Sequence, residues 1–176
     1  MAISEITVPE TKPATEWVRG RALQKVSPQE RHAHAQAFLA MSLLTWARQT
    51  RSGRVGTEWQ FNVTPPGEVT RPLVPDVAFL SYERLPRQDI AAAQIPRLAP
   101  DVAVEIISPG DLRADIDHKI EVYLAAGSRL VLLVDPKNKT FESHDPDGIR
   151  MFSAADEFTH PALPGCSIRV SSVFED

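Results

Sequence analysis

The sequence predicts an α/β (α+β) chain, a mixed β-sheet flanked by helices. Three observations carry this. Asp101 to Ser108, Asp-Val-Ala-Val-Glu-Ile-Ile-Ser, reads as a fully buried strand. A helical pattern follows it, and a second apolar strand, Leu130 to Val134, follows the helix. Such a strand–helix–strand unit makes a parallel crossover, with the helix on one face of the sheet. A separate long helical pattern stands near the start of the chain. The 176 residues suit an N-terminal arm over 1–15 and a single domain over 16–176.

Met1 to Thr15 lacks periodicity and reads as the arm. Trp17 to Leu23 reads as a hairpin turning at Gly20. Ser27-Pro28-Gln29-Glu30 predicts a helix start, with Ser27 as N-cap, Pro28 at the first position and Glu30 closing a capping box. The helix should run to about Gln49, with Ala35, Phe38, Leu39, Leu43 and Trp46 facing a core and Gly53 beyond its end. Glu58 to Val63 alternates as a half-buried strand does. Pro65-Pro66-Gly67 turns into a strand over Val74 to Leu80. Residues 81–99 predict a loop with a short helix. Pro109-Gly110 stops the Asp101–Ser108 strand. Asp111 is the expected cap of a helix from Leu112 to Ala126, whose apolar side is Ile116, Ile120, Tyr123 and Leu124. Gly127 is its stop. Strands are expected at Thr140 to His144, Ile149 to Phe152 and Ser167 to Val170.

Composition narrows the function classes. Hydrophobic residues at 43% and charged residues at 24% exclude a mostly disordered chain. No apolar run approaches the ~20 residues of a membrane helix, and no secretory signal is visible, so the expected compartment is the cytoplasm. One cysteine, Cys166, excludes an internal disulfide framework and a Cys-based zinc site. The net charge of −4 is no advertisement for nucleic-acid binding, although residues 1–60 carry a basic surplus and the rest the acidic excess.

Two acids stand inside apolar strands, Asp76 in Val-Pro-Asp-Val-Ala-Phe and Glu105 in Val-Ala-Val-Glu-Ile-Ile. A buried carboxylate must be paired, protonated or set on a cation. On neighbouring strands the two would repel unless a divalent metal lay between them. Lys119 lies beside the apolar stripe of the following helix and could reach them. The plainer alternatives are ion pairs to Arg71 or Arg97 for the acids, and to Asp115 for Lys119.

These residues resemble the PD-(D/E)XK nucleases, and more specifically the Uma-type restriction-endonuclease family. The matching segments are Arg31-His32, Arg71 to Ala78 with its Pro75-Asp76, and Ala99 to Pro109 with Glu105. Asp115, Lys119, Tyr123-Leu124, Ala126-Gly127, Val134-Asp135-Pro136 and Leu163-Pro164-Gly165 match as well. The likeness spans roughly residues 16–176. It departs in one place: the usual lysine two residues after the acid is Ile107 here, and Lys119 matches the place from which such families borrow one.

The resemblance implies a restriction-endonuclease-like fold and a site of Asp76, Glu105 and Lys119. Asp76, Glu105 and the backbone carbonyl of Ile106 would hold Mg²⁺, with Mn²⁺ as a substitute. Accessory positions are Asp101, which shares Glu105's strand parity, His32, Tyr123 and Glu30, for which the cap is explanation enough. The implied activity is metal-dependent phosphodiester hydrolysis with DNA as partner, no membrane, and a homodimer by analogy with enzymes that cut both strands. Two competing readings are a catalytically inactive nuclease-fold module for nucleic-acid or protein interaction, and a glycosidase using the two acids. The sparse aromatic residues speak against the last.

Overall fold

A computed structural model describes residues 5–176; Met1 to Ser4, the start of the expected arm, lie outside the described residues. The elements in chain order are β1 (Thr15–Val18), β2 (Arg21–Gln24), α1 (Glu30–Thr50), β3 (Gly53–Thr57), β4 (Phe61–Val63), β5 (Arg71–Leu73) and β6 (Val77–Ser81). Then come α2 (Arg87–Ile90), β7 (Val102–Ile106), α3 (Arg113–Ala125), β8 (Leu130–Asp135), β9 (Thr140–Asp145), β10 (Gly148–Phe152), β11 (Glu157–Phe158) and β12 (Ile168–Arg169). A 3₁₀ turn over Val170–Val173 follows.

Six strands form one mixed sheet in the order β10-β9-β8-β7-β6-β3. Only β7 and β8 run parallel, joined by α3 as expected; the other neighbours are antiparallel. Alternation along β7 divides the interior. Val102, Val104 and Ile106 face the layer built from Ala35, Leu39, Leu43 and Trp46 of α1. Ala103 faces the opposite layer, built from Ile116, Ile120 and Tyr123 of α3 together with Val18, Phe61 and Leu73. Glu105 has Ala103's parity and so points to the α3 side.

Several boundaries differ from expectation. α1 begins at Glu30 with Gln29 as its extended N-cap, and no side chain bonds the cap, so Ser27 and Glu30 form no capping box. α3 is capped at Leu112 without a side-chain bond, while Asp111 accepts the Ser108 N–H instead. The expected strand Val74 to Leu80 begins only at Val77, as β6; the residues before it, Arg71–Leu73, form β5 and pair with β4, and the chain crosses between the two. Asp76 sits at that crossing. There its N–H donates to Val104 O. The expected Glu58–Val63 strand shortens to Phe61–Val63, and Thr15, the last residue of the expected arm, already belongs to β1.

Gly53 lies beyond the helix, as expected. Arg51, in the left-handed region at φ 53°, ends α1, and Gly53 opens β3 opposite Ser81. A Cβ on Gly53 would stand 2.3 Å from Leu80 O and 2.4 Å from the Phe79 ring. A backbone oxygen in a sheet cannot give way cheaply. Gly53→Ala is expected to lower stability by about 1–3 kcal/mol, the usual cost of overpacking. An unchanged midpoint in a thermal melt of the variant would contradict that contact.

Candidate active site

Five elements meet at a cleft of about 650 Å³ lined from both α1 and α3. The crossing between β5 and β6 brings Asp76, and the end of β7 brings Glu105 and Ile106. Lys119 and Tyr123 come from α3, His32 from α1, and the β1–β2 hairpin adds Glu16 and, one residue past β2, Lys25. A helix that packs back over the sheet after β7 places Lys119 four positions before Tyr123 on one inward face. Both are buried.

Asp76 is 2% exposed. Its Oδ2 accepts the Ile106 N–H at 2.7 Å, and its Oδ1 accepts a hydrogen bond from Lys25 Nζ at 2.7 Å. His32 Nε2 lies 3.4 Å from Oδ2. Burial by itself would raise the Asp76 pKa, but Lys25 and His32 outweigh it and hold the carboxyl below the usual range. Glu105 is held by Lys119 Nζ at 2.8 Å on Oε2 and by the Tyr123 hydroxyl at 3.2 Å on Oε1. Lys119 also bonds Glu16 at 2.9 Å. Glu16 in turn accepts the Val74 N–H at 2.7 Å.

Glu105 behaves oppositely to Asp76. Burial pushes its carboxyl up to about 8; Lys119 opposes this, but Asp76 and Glu16 add to it. Burial would lower Lys119, yet Glu105 and Glu16 keep its ammonium above the ordinary value. Glu16, Asp76 and Glu105 thus face the Lys25 and Lys119 ammonium groups and His32; burial would lower the His32 pKa, but Asp76 raises it.

Asp76, Glu105 and Lys119 therefore share one cleft, with Ile106, His32 and Tyr123 around them. The plainer ion pairs are not formed: Arg71 pairs with Glu68, Arg97 with Glu5, and Asp115 with Arg19 and Arg21. Asp101 and Glu30 are not brought to the cleft. Asp101 caps the other end of the layer, accepting the Ser81 N–H at 2.7 Å with Arg129 nearby. Glu30 is exposed and faces a separate depression with Lys137 and Lys139.

Glu16, Lys25 and Glu58 are the residues that sequence reasoning missed. Glu16 had one legible signal: it shares strand parity with Val18, which is fully buried. Glu58, half exposed, bonds Lys25 at 2.9 Å. Lys25 carried no local signal.

Among the described residues no cluster of three His, Cys, Asp or Glu side chains stands ready as a metal cage. The donor chemistry nonetheless suits a hard divalent cation. Asp76 and Glu105 offer only oxygen, next to the Ile106 backbone. Mg²⁺ asks a protein for just one or two carboxylates and keeps several waters.

A family model described as Uma2, "Putative restriction endonuclease", matches residues 4–171. The chain is also similar to a solved crystal structure described as "a putative nuclease belonging to DUF820" from Anabaena variabilis. The TM-score is 0.83 at 25% identity, covering 95% of this chain and 93% of that one. No curated protein matches.

Proposed function

The chain belongs to the Uma2 family, and on that footing we propose that it is a Mg²⁺-dependent endonuclease that hydrolyses phosphodiester bonds in DNA. One observation carries the proposal: the heads of Asp76, Glu105 and Lys119 converge in a single cleft although 43 residues of chain separate the first from the last.

Asp76, Glu105 and the Ile106 carbonyl are the ligands in this reading. The chemistry that Mg²⁺, or Mn²⁺ in its place, supplies there is polarisation of the phosphate and activation of water. The Ile106 N–H and Val104 O fix Asp76 from both sides, so the carboxylate needs no reorganisation. Tyr123 fixes the orientation of Glu105. Lys119 orients the attacking water and offers its charge to the negative charge that develops on the phosphate. Lys12 and Arg21 line the cleft, and Arg19 lies beside Arg21 on Asp115. The basic surplus of residues 1–60 is thus partly gathered at the opening, which favours a phosphate-bearing substrate despite the acidic net charge. A cytoplasmic homodimer, one copy per strand, completes the proposal; no helix among the described residues is long and apolar enough to cross a membrane.

One observation favours a second reading, an inactive nuclease-fold module: each oxygen of Asp76 and Glu105 already has a partner within the protein. The two readings separate in a cleavage assay on plasmid and single-stranded DNA with Mg²⁺ or Mn²⁺, and with EDTA. Cation-dependent nicking or linearisation is the expected result. If no substrate is cut, and neither cation raises the melting temperature, the module reading replaces the enzyme.

A further inference from the structure

We propose that Lys25 is a displaceable counter-ion: its ammonium holds the charge position at Asp76 until a phosphodiester draws it away and opens that carboxylate to a divalent cation. This rests on the nuclease reading above and adds an order of events to it.

The geometry at Asp76 leaves one route for a cation. Oδ2 is committed to the Ile106 N–H, and the side chain is 3% exposed. Oδ1 is the remaining oxygen, and Lys25 Nζ sits on it at 2.7 Å. An ammonium has three protons and no acceptor. Those of Lys25 meet Asp76 Oδ1, Val74 O at 2.9 Å and Glu58 Oε2 at 2.9 Å, a closed set. A divalent cation on Oδ1 would face the ammonium at short range, where like charges repel strongly. The two cannot share Asp76 as it stands, so one must leave.

Lys25 is built to leave and Lys119 is not. Lys119 is 6% exposed on α3, clamped between Glu105 and Glu16, and α3 packs on the sheet. Lys25 follows β2, which pairs with β1 in a two-stranded ribbon that is no part of the six-stranded sheet. β1 is the docked strand of that ribbon, with Glu16 and Val18 buried, whereas Arg21, Ala22 and Gln24 of β2 are exposed. The outer strand leads into Lys25, so this wall of the cleft yields more easily than α3. Of Lys25's partners, Glu58 has a side chain 44% exposed and can follow it outward. A phosphate entering between Lys25 and Arg21, both in the cleft lining, offers the ammonium a new anion for the one it gives up.

The test is Mn²⁺ binding by titration calorimetry, with no cleavage step in the readout. The parent chain and Lys25→Met are titrated alone, then with a short DNA duplex carrying phosphorothioate linkages. Lys25→Met should bind Mn²⁺ about tenfold tighter than the parent, because no internal cation competes. The duplex should tighten Mn²⁺ binding to the parent by a similar factor of about ten, and have little further effect on the variant. Equal affinity in the two proteins, or a parent affinity that the duplex leaves unchanged, overturns the displacement while the metal site stands. Absence of Mn²⁺ binding in every arm overturns the nuclease reading itself. Should Lys25→Met fail to fold, the duplex arm on the parent chain decides alone.

Discussion

Glu105→Gln is expected to reduce cation-dependent cleavage by about a thousandfold, since several kcal/mol of charge stabilisation are lost at ~1.4 kcal/mol per decade. The same substitution should leave the cation-free fold at least as stable as the parent. The reason is the charge environment. Glu105 is buried between Asp76 and Glu16, and its carboxyl is pushed up to about 8. Near neutral pH the cation-free protein already favours the protonated form, which glutamine imitates in shape and charge. The sign of the linkage follows. A group whose folded pKa is raised contributes stability that is complete below its unfolded value and is lost as pH rises through the folded one. Glu105 therefore weakens the parent in EDTA as pH climbs from about 4.5 through about 8, and the glutamine variant should lack that part of the decline. Plasmid cleavage and thermal melts at several pH values measure both halves. Full cleavage by Glu105→Gln would remove this carboxylate from the reaction. A melting temperature many degrees below the parent would mean that the charged form of Glu105 is a structural support.

Lys119→Met is expected to be the most damaging substitution for stability. It leaves Glu105 and Glu16, both below 10% exposure, without the ammonium that bridges them at 2.8 and 2.9 Å. Breaking a buried ion pair from one side costs roughly 3–5 kcal/mol, because the abandoned charge stays in the interior. The loss should be larger at pH 9 than at pH 6, because the parent's Glu105, pushed up to about 8, ionises beside Lys119 across that range, while the variant has no ammonium to hold the charge. Asp76 behaves differently: its carboxyl is held low, so its contribution is complete above about 3.8 and fades only in stronger acid. Denaturant melts of parent and variant at the two pH values give the comparison. A destabilisation that does not change with pH would mean that the lost packing of the lysine stem is what matters. Cleavage should be lost as well. A variant that stays folded but inactive at low temperature would separate the reaction from the fold.

Periodicity made the two long helices and the Asp101–Ser108 strand legible, because burial of one face imposes a spacing that any reader of the chain can count. The same logic exposed Asp76 and Glu105, as acids are costly where apolar neighbours predict burial. Lys119 was legible through its place beside Ile116 and Tyr123. Helix starts were not: the Ser27–Glu30 pattern matches a capping box, yet the chain takes its helical turn from Gln29 without a side-chain bond. Gly53 was placed correctly beyond the first helix, but nothing local reveals that Phe79 and Leu80 press against it. Glu16 and Lys25 mark the deeper limit. They reach partners 103 and 51 residues away, Lys119 and Asp76, and such pairings are decided by how the hairpin lies against the sheet.

That distance has a bearing on synthesis. The hairpin with Glu16 and Lys25 leaves the ribosome first, the crossing with Asp76 well after it, and the helix with Lys119 and Tyr123 later still. Because chains fold from the amino end as they emerge, the pocket cannot close around its lysines until synthesis has passed Tyr123. A nascent fragment shorter than that carries some of the reactive groups but has no chamber in which to bring them together.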